Sequence, residues 1–130
     1  MNDSEKQEKI KYRINHAEST LAEADAIRNM GYLSTALNRY YYACFYATTA
    51  LLLTKELNPK THAGVRTLFS LHFIQTGIIP MESGQFFSQL FDKRQRSDYD
   101  DYLDVDKETV DNFSILAIEF IATIKKLLIN

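Results

Sequence analysis

Leu33-Ser34-Thr35-Ala36-Leu37-Asn38-Arg39-Tyr40-Tyr41-Tyr42-Ala43-Cys44-Phe45-Tyr46-Ala47 decides the fold. Leu33, Ala36, Leu37, Tyr40, Cys44, Ala47 and then Leu51 recur at steps of three and four, which is the spacing of one face of an α-helix. Tyr41, Phe45, Ala50 and Leu52 fall off that stripe and are apolar too. A helix apolar on several faces is covered on several sides, so this segment is read as the central helix of an all-α fold, running to about Leu57 before Asn58-Pro59 stops it.

On the N-terminal side, Ile10, Ile14, Ala17, Leu21 and Ala24 repeat the same spacing, and the pattern holds from about Glu5 to Met30, with Gly31 marking the corner. On the C-terminal side, Thr61 can cap a third helix carrying Val65, Leu68, Phe69, His72 and Phe73, which Gly77 ends. Ile78-Ile79-Pro80 reads as a turn. A fourth helix spans roughly Glu82 to Arg94, with Phe86, Phe87, Leu90 and Phe91 inward, and a charged run from Asp92 to Tyr102 breaks its pattern. Asp106 can cap the last helix, with Val105 placed as a hydrophobic staple against Val110; Val110, Phe113, Ala117, Phe120, Ile124 and Leu127 then continue to the end. Strand-like alternation and internal repeats are absent from the sequence. Short connections favour an up-and-down four-helix bundle with one additional short helix set aside.

The chain has 130 residues with only four Gly and two Pro, so residues 1–130 are read as a single domain of long helices with one core. Fifteen basic and seventeen acidic side chains leave a net charge of −2, which gives no overall electrostatic footprint for nucleic acid; phosphate binding has to be local. One cysteine, Cys44, sits in the apolar run and reads as a buried, inert thiol. Without a signal-peptide pattern or an apolar stretch of spanning length, the expected setting is the cytoplasm, with no membrane partner. The sequence carries no glycine-rich phosphate loop, no metal-ligand spacing and no nucleophile elbow, so no cofactor and no metal is expected. His16 reads as solvent-facing, and His62 and His72 as structural.

The charged run offers the chemistry. Arg94 and Arg96 stand close to Asp98, Tyr99, Asp100 and Asp101. One reading is a solvated stretch in which the carboxylates offset the guanidiniums. The other is a phosphate or nucleotide site built on Arg94 and Arg96, since arginine grips phosphate oxygens through paired hydrogen bonds and stays charged at working pH.

Asn38-Arg39-Tyr40-Tyr41-Tyr42-Ala43-Cys44-Phe45-Tyr46-Ala47 resembles the second-helix signature of the HEPN family, in its branch of short stand-alone prokaryotic proteins. Three further blocks agree in order: Pro59-Lys60-Thr61-His62-Ala63-Gly64-Val65; His72-Phe73 followed by Thr76-Gly77-Ile78-Ile79-Pro80; and Arg94-Gln95-Arg96-Ser97-Asp98-Tyr99-Asp100. The resemblance covers roughly Ala36 to Phe120. It implies a helical bundle, a homodimer, and work beside a small nucleotidyltransferase in a toxin–antitoxin or stress module.

Many members of that family are metal-independent ribonucleases with an arginine, four to six residues, and a histidine. Arg94 matches the arginine, and Tyr99 stands where the histidine would be. A phenol with a pKa near 10 is about a thousandth ionised at pH 7, a deficit on the order of 4 kcal/mol for a general base. Tyr99 is on this count a poor replacement base, and on the RNA-cleaving reading the resemblance implies Arg94 for the phosphate and Tyr99 or Asp98 for the proton. The resemblance also implies Tyr99 or Tyr102 as the hydroxyl that accepts AMP from a partner, although the family places that tyrosine two residues after the histidine, where this chain has Asp101. Three classes remain open: a nucleotidyltransferase-partnered module with a phosphate or nucleotide site, an RNA-cleaving enzyme, and a purely structural interaction module.

Overall fold

A computed structural model describes residues 2–99 and 105–129, with Tyr99 described as backbone only. Five α-helices follow one another, and the described residues contain no strand. Helix α1 spans Asp3–Asn29 and begins at Asn2, whose side-chain oxygen accepts from the Glu5 amide at 2.8 Å. Its buried residues, Ile10, Ile14, Ala17, Thr20 and Ala24, trace one face. The chain then reverses through Gly31, whose φ of 88° lies in the left-handed region that costs glycine nothing.

Helix α2, Leu33–Leu53, lies antiparallel to α1 and is the hub, packing against α1, α3, α4 and α5. Twelve of its 21 residues are buried, which explains why its apolar positions spread beyond one stripe. It stops at Leu53, four residues before the expected Leu57, because Lys55 and Glu56 close a tight turn in which Glu56 takes φ 59°. Helix α3, His62–Phe69, starts at the expected cap, where the Thr61 hydroxyl accepts from the Gly64 amide at 2.9 Å. It runs on into a π-helical turn, Ser70–Ile74, in which the Gln75 amide bonds to the Ser70 carbonyl at 2.8 Å. Gly77, at φ 80°, then turns the chain toward α4.

Helix α4 spans Met81–Tyr99 and α5 spans Lys107–Ile129, the latter capped by Asp106, which accepts from the Thr109 amide at 2.7 Å. Helices α1, α2, α4 and α5 form the bundle, and α3 with its π turn is the short element beside it. Between α3, α4 and α5 the core is a cluster of rings: Phe69, Phe86, Phe87 and Phe120 meet with centroids 5.5–5.9 Å apart in stacked and edge-on pairs. Each such ring contributes about 1.5–3 kcal/mol by burial, plus the preference of aromatic pairs for these geometries.

One polar network is built into this apolar frame. The Tyr40 hydroxyl donates to Asp25 and accepts from Arg28 Nε at 3.1 Å. Ser114 donates to Asp25 at 3.0 Å, and Arg28 pairs with Asp111 at 2.7 Å, so α1, α2 and α5 are tied at one level.

Candidate functional site

The charged run does not leave the helix at Arg94. Helix α4 continues through it to Tyr99, so Arg94 and Asp98 are one turn apart and pair at 3.2 Å. Two residues along a helix are about 200° apart, which sets Arg96 on the other side of α4 from Arg94, where it is exposed. The structure therefore does not bring the two arginines together. The side chain of Tyr99 and all of Tyr102 lie outside the described residues, as do Asp100 and Asp101.

Arg94 turns inward. Its side chain is only 12% exposed, and its guanidinium carbon lies 4.7 Å from the centre of the Tyr41 ring and 5.6 Å from those of Tyr42 and Phe91. Aromatic faces attract a cation, which is how this charge is tolerated near the core. Among the described residues, Nη1 bonds to Asp98, and the buried Nε has no hydrogen-bond partner.

Tyr41 connects this cation to a second element. It is fully buried, and its ring stacks on Phe87 at 6.0 Å. Its hydroxyl meets Nδ1 of His62 at 2.6 Å. The Thr61 cap places His62 in the first turn of α3, and the imidazole stacks on Phe45 at 4.4 Å with the planes 21° apart. Burial pushes the Tyr41 phenol well above its ordinary range, against the opposing pull of Arg94. Burial, and then Arg94, hold the His62 imidazole below its usual pKa. Both groups are accordingly neutral at pH 7.

Two more guanidiniums border the same rings: Arg66 at 4.3 Å over Phe91, and Arg39 at 5.2 Å over Tyr42. A groove lined by Arg66, Thr67, Ser70 and Ser88 adjoins the patch through Arg66. The arrangement can hold an anion against fixed positive charge and offer ring faces to a flat group.

His62, read from sequence as structural, is thus a neighbour of Arg94. Twenty-one residues separate it from Tyr41, and no local pattern signals their contact; the Thr61 cap and the off-stripe position of Tyr41 are the two clues the sequence contains. His16 is exposed as expected, but it also stacks on Tyr46 at 4.1 Å. Cys44 is fully buried, and burial raises its thiol pKa, in keeping with an inert group. No helix among the described residues is long and apolar enough to cross a membrane.

The family model described as HEPN domain matches residues 10–127, more than the stretch carried by the four motifs. A protein of Methanocaldococcus jannaschii named "Putative toxin MJ0142" is 35% identical over 117 residues, covering 90% of this chain and 80% of its own length. A UPF0332 protein of Thermotoga maritima is 34% identical over 125 residues, covering 96% and 95%. A second Methanocaldococcus jannaschii protein, named "Putative toxin MJ0605", is 36% identical over 124 residues, covering 93% and 90%. With a family match across nearly the whole helical bundle and relatives aligned along most of their length, this chain belongs to the HEPN domain family.

Proposed function

We propose that this protein is the HEPN component of a toxin–antitoxin-like or stress module, acting in the cytoplasm as a homodimer beside a small nucleotidyltransferase and binding a nucleotide phosphate at Arg94. The observation that carries this reading is the setting of Arg94, a nearly buried guanidinium stacked on Tyr41 with one buried N–H lacking a hydrogen-bond partner among the described residues. A salt bridge to an exposed Asp98 alone would not require such burial. The names of two relatives support the toxin-like half of the reading. Asp98 competes with the phosphate for the guanidinium, and Tyr99 or Tyr102 supplies the hydroxyl a partner would modify.

The test has two arms. Expression of the protein in a bacterial host should arrest growth, and co-expression of a nucleotidyltransferase from the neighbouring gene should relieve the arrest. In calorimetry, AMP, ATP or a short RNA binds the wild type and binds Arg94→Ala at least tenfold more weakly. Identical titrations for the two proteins with every ligand defeat the phosphate site.

An RNA-cleaving enzyme is the second reading, favoured by the His62 imidazole that shares the Tyr41 side chain with Arg94. Cleavage of a short RNA on a gel, lost in Arg94→Ala, promotes it over the first.

A further inference from the structure

We propose that His62 is the second donor of the phosphate site: its imidazole, locked by Tyr41 into the tautomer with the proton on Nε2, binds the same nucleotide phosphate as Arg94. This rests on the phosphate-site reading above and adds to it a residue from another helix.

The argument starts at the Tyr41 hydroxyl. A buried O–H needs an acceptor, and the one acceptor that the hydroxyl of fully buried Tyr41 meets among the described residues is Nδ1 of His62 at 2.6 Å, since the neighbouring Arg94 can only donate. When the phenol donates, Nδ1 must be unprotonated. A neutral imidazole with a bare Nδ1 carries its proton on Nε2. The reverse arrangement, with Nδ1–H donating to the phenol oxygen, leaves the phenol proton with no acceptor. The imidazolium is worse still, since it strands the same proton and adds a second charge beside Arg94. The charged and titratable groups around the ring are Arg94 and Asp98 on α4, Tyr41 and Tyr42 on α2, and Arg66 on α3. Of the charged ones, two are cations and the single carboxylate is already paired with Arg94.

The ring is also held in place. It stacks on Phe45 at 4.4 Å and stands edge-on to Tyr42 at 5.9 Å, so its outward edge has a defined direction. His62 is partly exposed, and its Nε2 makes no hydrogen bond among the described residues. The Arg94 guanidinium lies over the Tyr41 ring and His62 sits at its hydroxyl, so both side chains border the same buried phenol, and a phosphate that reached both would meet a permanent cation and a neutral donor. Tyr42 and Phe45, both partly exposed, offer ring faces on which a base can stack. The ligand class is accordingly a nucleotide phosphate, either free at the end of a mononucleotide or within an RNA chain.

The bland alternative makes His62 a packing residue that satisfies the Tyr41 hydroxyl and touches no ligand. Calorimetry on wild type, Arg94→Ala, His62→Phe and His62→Gln separates the two, with AMP and the RNA dinucleotide ApA as probes. His62→Phe keeps the stacking on Phe45 and loses both ring nitrogens, whereas His62→Gln can still accept from Tyr41 and donate outward. Loss of one hydrogen bond to phosphate predicts about tenfold weaker binding for His62→Phe, with a substantial part restored in His62→Gln. The single charge of ApA does not titrate near neutrality, so its affinity stays flat between about pH 7 and 8, where the lowered His62 pKa keeps the imidazole neutral. The ratio of AMP to ApA affinity identifies the phosphate's source.

A readout without ligand keeps the proposal falsifiable if a variant fails to fold. The nitrogen chemical shifts of wild-type His62 are expected to show a neutral ring with the proton on Nε2 at about pH 7. A ring protonated at Nδ1, in either the neutral or the charged form, overturns the proposal. So does wild-type affinity in a folded His62→Phe alongside lost binding in Arg94→Ala, an outcome that leaves the Arg94 site standing. If wild type binds neither probe, the phosphate-site reading falls and this proposal with it.

Discussion

Replacing Tyr40 by Phe removes one oxygen atom from the middle of the network that ties α1, α2 and α5. The ring of Tyr40 is fully buried and would stay in place, so packing is conserved and the change reads the hydroxyl alone. That hydroxyl donates to Asp25 and accepts from Arg28 Nε at 3.1 Å. Hydrogen bonds to charged groups contribute about 1.5–3 kcal/mol each, so two would total about 3–6 kcal/mol. Both partners keep a second contact, however: Ser114 still donates to Asp25 at 3.0 Å, and Arg28 still pairs with Asp111 at 2.7 Å. Both are also only half-buried and can recruit water. The expected loss is therefore about 2–3 kcal/mol, which moves the urea midpoint by roughly 1–2 M for a domain of this size. Tyr40→Ala adds an empty ring site and should cost more, about 4–6 kcal/mol in all. Equilibrium urea unfolding followed by far-ultraviolet circular dichroism makes the measurement. A loss below about 0.5 kcal/mol for Tyr40→Phe would refute the assignment of the network as a stabilising clamp.

Two further outcomes follow from side chains away from the site. Hydrogen bonds from Lys107 and then Arg28 hold the Asp111 carboxyl below its ordinary range. Its contribution is fully present above about pH 4 and is lost as the pH falls through the lowered folded value, so urea midpoints should drop in acid and drop less steeply in Asp111→Asn. Glu56 is the one non-glycine residue among those described with a left-handed backbone, at φ 59°. Glu56→Gly should raise stability by about 0.5–1 kcal/mol in thermal or urea unfolding, and a loss would show that the turn is held by the side chain.

The helices were legible wherever burial follows one period and a capping side chain marks the start. Thr61 and Asp106 cap α3 and α5 as expected, and Gly31 and Gly77 turn the chain where glycine alone is free to do so. Two boundaries moved for local reasons. Lys93, Arg94, Gln95 and Arg96 are good helix formers, and the Arg94–Asp98 pair closes one turn, so a run that looked like a break in hydrophobic pattern continues α4. At the end of α2, the Glu56 turn has no glycine to announce it. Half of the candidate site was visible. Arg94 stood out by motif and charge, and Phe91 lies one turn back on its own helix face, but its other ring partner Tyr41 comes from α2, and His62 reaches it only through a tertiary contact that no periodicity encodes.

The π-helical turn at Ser70–Ile74 has a consequence for how chains of this fold differ in length. Such a turn holds one residue more than the regular helix around it, and here Leu71, about half exposed, projects from the widened coil while Phe69 and Phe73 stay in the core. Deleting Leu71 would let the segment relax into an ordinary α-helix without displacing either phenylalanine from the interior. A one-residue deletion that would rotate every later side chain out of register in α2 can be absorbed in this coil.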